Sequence, residues 1–98
     1  MISLKIYRHG NDLMIGACDE HLIGKTFTEG KFRLNVDKKF YDGDRVDAPT
    51  LKRFLRDATI ANLVGKETVN IAIDLGLVDP SCILRIKGIP HAQIVCMI

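Results

Sequence analysis

The chain has 98 residues and a mass of 11.0 kDa, the size of one small domain. Hydrophobic residues make up 47% of it and charged residues 27%, which excludes an intrinsically disordered protein. The formal net charge of +2 is too small to identify a nucleic-acid-binding protein from charge alone. We therefore predict a single globular domain over residues 1–98.

Neither a membrane span nor a secretory leader is expected. No apolar run reaches the length of about 18 residues that a span requires, and no charged segment precedes a short apolar one. The three cysteines, Cys18, Cys82 and Cys96, are odd in number and widely spaced, which argues against a disulfide framework. We therefore expect a cytoplasmic protein that does not contact a membrane.

The N-terminal third of the chain has the alternation of β-strands. Apolar and polar residues alternate from Ile2 to Tyr7 and again from Leu13 to Cys18, on either side of the polar turn at residues 9–12, which predicts a hairpin. Gly24 favours a turn in the following segment. Residues 31–36 then alternate again and predict a third strand, with Phe32 on its apolar face and a basic solvent face.

The middle of the chain predicts a loop followed by two helices. Residues 37–47 are polar but contain two adjacent aromatics, so we predict an ordered surface loop anchored by Phe40 or Tyr41. Asp47 fits a helix N-cap, and apolar residues follow at three- and four-residue steps up to Gly65, which predicts a helix over this range. A second short helix is predicted from Gly65 to Gly76.

The C-terminal segment predicts a second strand pair. Residues 82–86 and 92–98 are rich in β-branched residues and are separated by a turn-forming stretch at 87–91. The order of elements is thus β-β-β-α-α-β-β. Segregated strands and helices predict an α+β fold, with a mainly antiparallel sheet of about five strands and two helices packed on one face.

A thiol, two carboxylates and an imidazole are adjacent at the end of the second strand, from Cys18 to His21. Cys18 and His21 have the spacing of half a zinc site, but lone cysteines in strands are more often small buried residues, so we predict no metal. No cofactor is predicted either. Asp19 and Glu20 either bind a ligand or form a charged strand end that opposes edge pairing.

Lys25 and Thr26 follow Gly24 in a partial phosphate-loop pattern. The full pattern requires a glycine five positions before Gly24, and this position is Asp19, which excludes nucleotide hydrolysis of that kind. The two residues therefore either orient an anion or lie in a plain turn with a solvent-exposed lysine.

Three further polar residues interrupt apolar segments. His91 and Gln93 project on the same side of a strand that begins at Pro90, where they either bind a ligand or cap a turn. Asn62 lies near the end of the predicted helix, and a hydrogen bond at the helix end is the simpler explanation for it.

A group of four cations lies beside two aromatic residues. Cations with exposed aromatics are typical of single-stranded RNA binding, but nearby aspartates dilute the positive charge, so a solvated strand face is an equal alternative. These cations are Lys31, Arg33, Lys38 and Lys39.

Five segments together resemble a known family: Cys18–Glu20, Gly24–Phe27 with Glu29–Gly30, Phe40–Gly43, Ala58–Gly65 and Gly88–Gln93. In combination they resemble the archaeal family called domain of unknown function 424, over nearly the whole chain. The resemblance implies a small stand-alone cytoplasmic archaeal protein with a suspected link to translation. It assigns no activity and no catalytic residue.

The distinctive family segments contain the polar positions described above, and we therefore predict that these residues converge on one cleft. The residues of the predicted cleft are Asp19, Glu20, Lys25, Thr26, Asn62, His91 and Gln93. The leading prediction for function is a binding module that engages RNA or the translation apparatus through this cleft and the four cations.

Two other classes of function stay open. In an enzyme acting on a small anionic substrate, Lys25 and Thr26 would orient the anion, while His91, Glu20 or Cys18 would transfer a proton or attack as a nucleophile. In a structural homodimer, the final strand would pair with a partner, because residues 94–98 are apolar and lack a charged gatekeeper.

Overall fold

In the computed structural model, residues 1–96 are described, and they form eight strands and three helices. The strands are β1 (Ile2–His9), β2 (Asp12–Asp19), β3 (Thr26–Glu29), β4 (Phe32–Asn35), β5 (Asp44–Val46), β6 (Ile60–Val64), β7 (Leu84–Ile86) and β8 (Ile89–Val95). The helices are α1 (Lys38–Tyr41), α2 (Ala48–Asp57) and α3 (Lys66–Asp74). One-turn 3-10 helices cover Glu20–Leu22 and Pro80–Cys82.

Six strands form the main sheet, in the order β5-β1-β2-β6-β8-β7. All neighbours in it are antiparallel except β2 and β6, which are parallel. Strands β3 and β4 form a separate two-stranded hairpin, named here the β3–β4 hairpin. The predicted α+β class with a mainly antiparallel sheet is confirmed, and the sheet has one strand more than expected.

The helix predicted up to Gly65 ends earlier. Asp47 is its N-cap, as predicted, because the carboxylate accepts a hydrogen bond from the Thr50 amide at 3.0 Å. The helix stops at Asp57, however, and residues 60–64 form the central strand β6. Strand β6 lies between β2 and β8 and is paired along both edges, and an apolar run with β-branched residues suits such a position. In a run this short, the spacing of the apolar residues does not distinguish a helix from a buried strand.

Two other predicted elements also differ. The predicted third strand forms as β4 but pairs with β3, from a segment for which we predicted no strand, instead of joining the main sheet. The predicted loop at residues 37–47 contains α1 and the edge strand β5, and Tyr41 anchors it as expected because its side chain is buried. The final strand begins at Ile89, within the predicted turn, and Met97 and Ile98 of the predicted strand lie outside the described residues.

Helices α2 and α3 cover the first face of the main sheet, where they bury the larger core. That core includes Ile2, Ile15, Leu51, Leu55, Leu63 and Val69. The second face is covered at one end by residues 20–41, whose apolar side chains form a smaller core with Cys18, Val64 and Ile86. Within residues 1–96, no helix combines the length and the apolar character needed to cross a membrane.

The rest of the second face is exposed or only half-buried. Residues opposite each other on neighbouring strands share a face, so the strand register identifies the side chains there. We call this area the open face, and it comprises Tyr7, Met14, Ile60, Asn62, His91, Gln93 and Val95.

Candidate functional site

Asp19, the last residue of β2, is a buried carboxylate that caps helix α3. Its oxygens accept hydrogen bonds from the Glu67 amide at 3.1 Å, the Thr68 amide at 2.9 Å and the Thr68 hydroxyl at 2.8 Å. The first amides of a helix have no partner within the helix and carry its positive dipole end. Asp19 thus occupies the position where an anionic ligand would bind this helix. Its hydrogen bonds give the carboxylate a structural role as the helix cap.

Gly65 makes this cap possible. It occupies the N-cap position of α3 with a φ of +108°, a conformation that favours glycine. A methyl group built at Gly65 would overlap the Asp19 carboxylate. The helix therefore begins at a residue without a side chain and takes its capping oxygens from a different strand.

Glu20 points to a different partner. It is exposed, and its carboxylate lies 3.7 Å from Arg45 Nε and 3.9 Å from the N-terminal ammonium. Arg45 is held more closely by Asp42, with Nη1 at 2.7 Å from Oδ1. Exposed pairs at these distances contribute little to stability. Glu20 therefore belongs to a surface ion network at the start of the chain.

Lys25 and Thr26 are exposed at the beginning of the β3–β4 hairpin. The Lys25 backbone is fixed by Leu22 and Val36, and the Thr26 hydroxyl lies 3.2 Å from the Asn35 side-chain oxygen. Within residues 1–96, the Lys25 ammonium has no ion-pair partner. This geometry is that of an ordinary turn with a solvent-exposed lysine.

Asn62, His91 and Gln93 come together on the open face. Asn62 lies directly opposite Gln93, and His91 lies two residues before Gln93 on the same strand. Asn62 and His91 are half-buried and Gln93 is exposed. Burial lowers the pKa of His91, so its imidazole is neutral near pH 7 and offers one hydrogen-bond donor and one acceptor.

The prediction of one cleft for all seven polar residues is wrong. Asp19 points to the first face of the sheet, toward α3, whereas Asn62, His91 and Gln93 lie on the second face. A pocket of about 310 Å³ does lie beside Asp19. Its lining residues are Asp19, His21, Leu22, Lys66, Glu67 and Ile89, so it contains one of the seven predicted residues.

Cys18 is unsuited to act as a nucleophile. Its side chain is fully buried, and burial together with the neighbouring Asp19 raises the pKa of the thiol to about 12. A thiol with so high a pKa is protonated near neutral pH, whereas nucleophilic attack requires the thiolate. Within residues 1–96, no group of three His, Cys, Asp or Glu residues is placed to hold a metal ion.

The predicted aromatic partners of the cations are not exposed as expected. Tyr41 is buried, and the Phe40 ring stacks on Tyr7 with centroids 5.3 Å apart. The backbone oxygen of Lys39 accepts hydrogen bonds from Lys5 Nζ and the Tyr7 hydroxyl. The aromatics beside Lys39 therefore hold α1 on the sheet.

The exposed aromatic is Phe32 instead. It is 50% exposed at the start of β4, next in sequence to Lys31 and Arg33, whose side chains are also exposed; Arg33 projects from the opposite face of the strand. Sequence alternation had assigned Phe32 to the buried face, and Leu34 on the same face is indeed buried. Phe32 is exposed because the hairpin extends beyond the core, which alternation cannot show.

The β3–β4 hairpin and the open face lie on the same side of the main sheet. Phe27 and Leu34 of the hairpin pack in the smaller core with Val64, which shares its face with Asn62. The hairpin also contacts edge strand β7, and the amide of Lys87, the residue after β7, donates a hydrogen bond to Glu29.

Comparison with known proteins gives a family and a fold. Residues 7–97 match the family model described as "Protein of unknown function (DUF424)". The crystal structure of an uncharacterized conserved protein from Methanopyrus kandleri superimposes with a TM-score of 0.77 at 22% sequence identity, covering 99% of this chain and 94% of that one. No curated protein sequence matches the chain.

Proposed function

We propose that this chain, which belongs to the DUF424 family of proteins of unknown function, is a small binding module for single-stranded RNA. The observation that carries the proposal is Phe32, a half-exposed aromatic ring at the tip of a hairpin whose neighbours in sequence, Lys31 and Arg33, are exposed cations. We further propose that it works in the cytoplasm of an archaeon, since its three cysteines are free and its structural neighbour is archaeal.

Phe32 supplies a surface on which a base can stack. Stacking a base on an aromatic side chain contributes about 1–3 kcal/mol and does not depend on base identity. Most phenylalanines in a small protein are buried, so a ring that is 50% exposed at a hairpin tip is available for a partner. Only an unpaired strand presents its bases for such stacking, which favours single-stranded nucleic acid.

Lys31 and Arg33 supply the contacts to phosphate. Both side chains are exposed, and within residues 1–96 neither forms an ion pair. Their charge is therefore free to neutralise phosphates, which makes binding dependent on salt. Within residues 1–96, Lys38 and Lys39 on α1 are also exposed and form no ion pair, and they follow the base of the hairpin rather than its tip.

The open face supplies hydrogen bonds to the edges of bases. Asn62 and Gln93 carry amides, each with donors and an acceptor, and neutral His91 adds one of each. These three side chains lie on the same side of the sheet as the hairpin. A strand held at Phe32 can then extend across them, and the suspected link to translation makes ribosomal RNA the first natural RNA to test.

The proposal is tested by fluorescence anisotropy with labelled single-stranded oligoadenylate and oligouridylate. Phe32→Ala is expected to weaken binding by roughly tenfold, because about 1–3 kcal/mol of stacking is lost, while Phe32→Tyr keeps the ring and most of the affinity. Lys31→Gln with Arg33→Gln is expected to weaken binding to both oligonucleotides equally, since phosphate contacts do not read sequence.

The matched control is Arg53→Gln with Arg56→Gln. These exposed arginines lie on α2, which covers the opposite face of the sheet, and the substitutions remove the same charge. Circular dichroism verifies that each variant is folded. Equal loss of affinity in the two double variants, or unchanged affinity in Phe32→Ala, would show that the hairpin is not the binding surface.

A further inference from the structure

The outer edge of β1 is only partly covered. Strand β5 pairs with β1 over Ile2–Leu4 and stops there, whereas β1 continues to His9 and is paired with β2 along its whole length. Within residues 1–96, the main sheet therefore ends at β1 from Lys5 to His9. Unpaired strand edges of this kind are templates for another strand.

The hydrogen-bond ladder identifies which groups face outward. The Glu20 amide donates to the Met1 oxygen at 3.0 Å, which makes Met1 and Glu20 a hydrogen-bonded pair of the ladder. In an antiparallel ladder such pairs alternate, so the backbone groups of Ile6 and Arg8 point away from β2. Within residues 1–96, no hydrogen bond involves these outward groups.

A groove runs beside this edge. It has a volume of about 270 Å³ and lies between Leu4, Lys5 and Ile6 on one side and residues 42–44 on the other. Gly43 packs directly on the backbone of Leu4 and Lys5, so the chain approaches β1 here before β5 begins. An extended segment in the groove would continue the line of β5 along the rest of β1.

The charge along the edge selects the partner. Residues 5–9 contain Lys5, Arg8 and His9 and no acidic residue, whereas Asp42 and Asp44 line the groove beside Leu4 and Lys5, so the attraction for an acidic segment arises at the Arg8 end of the edge. The Lys5 ammonium already donates to the Lys39 oxygen at 2.6 Å, whereas Arg8 has no ion pair within residues 1–96. A second copy of this chain, paired antiparallel about Tyr7, would bring two such cationic segments together, which is unfavourable.

We propose that the outer edge of β1 at Ile6 and Arg8 binds an extended acidic peptide segment of a partner protein by strand addition. The backbone of the segment pairs with the outward groups of Ile6 and Arg8, and its acidic side chains lie on the face of the sheet that carries Arg8. This site is separate from the hairpin and the open face, and it does not depend on RNA binding.

The probe is a terminally blocked peptide in which Glu and Val alternate, with a Lys and Val peptide as the matched control. Amide hydrogen exchange of the full chain is measured by NMR with and without each peptide. The acidic peptide is expected to slow exchange of the Ile6 and Arg8 amides by at least about tenfold, while the Lys5 and Tyr7 amides, already bonded to β2, do not change.

Two further variants separate strand addition from general charge attraction. N-methylation of every second peptide residue blocks alternate amides, so one of the two methylated peptides is expected to lose binding and the other to keep it. Arg8→Glu is expected to weaken binding of the acidic peptide by roughly fivefold and to favour the basic one, because an exposed charge pair contributes up to about 1 kcal/mol.

Several outcomes would overturn the proposal. One is slow exchange of the Ile6 and Arg8 amides in the absence of peptide. Another is protection of these amides to the same extent by the acidic and the basic peptide, or no protection by either peptide. A third is equal binding of the two methylated peptides. Concentration-dependent dimerisation in analytical ultracentrifugation, with protection of the same amides, would instead assign the edge to a second copy of the chain. Protection by oligoadenylate alone would assign it to RNA.

Discussion

Removal of the Asp19 carboxylate should destabilise the fold strongly. In Asp19→Ala, the Thr68 amide and hydroxyl lose their acceptor in a buried position, and the Glu67 amide loses its acceptor at the surface. Loss of a helix cap costs about 0.5–2 kcal/mol, and a buried donor without a partner costs about 1–3 kcal/mol. Because Glu67 is exposed and its amide can bond to water, we expect a total loss of about 3 kcal/mol.

Urea denaturation followed by circular dichroism measures this loss, since a domain of this size should unfold in one transition. Asp19→Asn keeps an acceptor oxygen but removes the charge at the helix end, so about 1–2 kcal/mol should be lost. The matched control is Glu20→Ala, which removes the neighbouring exposed carboxylate and should change stability by less than about 0.5 kcal/mol. A similar loss for Asp19→Ala and Glu20→Ala would refute the assignment of Asp19 as the cap.

Three further predictions concern the same region and the open face. Gly65→Ala should destabilise by about 2 kcal/mol or more, and by less when combined with Asp19→Ala, because the new methyl group overlaps that carboxylate. Iodoacetamide should modify the other two cysteines at pH 8 while Cys18, with its raised pKa, stays unmodified in mass spectra. Burial lowers the pKa of His91, so the folded state resists its protonation. The free energy of unfolding should therefore be highest above the unfolded pKa of about 6.5 and decrease as the pH falls below it, and this decrease should be smaller in His91→Gln.

Each of these predictions has a contrary result. Additive losses for Gly65→Ala and Asp19→Ala would show that the two residues do not interact. Modification of Cys18 at the rate of the other cysteines would contradict its burial. An NMR titration of His91 with a midpoint above the ordinary value, or the same pH profile of stability in His91→Gln, would contradict the lowered pKa.

Local signals in the sequence predicted much of the fold. The hairpin of β1 and β2, the N-cap at Asp47 and the anchoring role of Tyr41 all depend on short-range patterns, and these are the elements that form as expected. Residues 60–64 are the largest departure from the prediction. Their apolar run suits a helix and a central strand equally, and only pairing with β2, more than forty residues earlier in the chain, favours the strand.

The candidate site was less predictable because it depends on which face each side chain occupies. Asp19 was identified as notable, but its bonds to Thr68 join positions 49 residues apart, so sequence could not distinguish a cap from a ligand-binding residue. His91 and Gln93 were correctly placed on one face, since period-two alternation fixes that relation. The exposure of Phe32 depends on where the core ends, which no local pattern reports.

The salt dependence of RNA binding tests the central claim most directly. For single strands, the slope of log K against log salt is about −0.7 for each phosphate neutralised. If Lys31 and Arg33 contact phosphates, Lys31→Gln with Arg33→Gln should reduce the magnitude of the slope by about 1.4, while Arg53→Gln with Arg56→Gln should leave it unchanged. Equal slopes in the two double variants, or no binding of the native chain at low salt, would contradict the account.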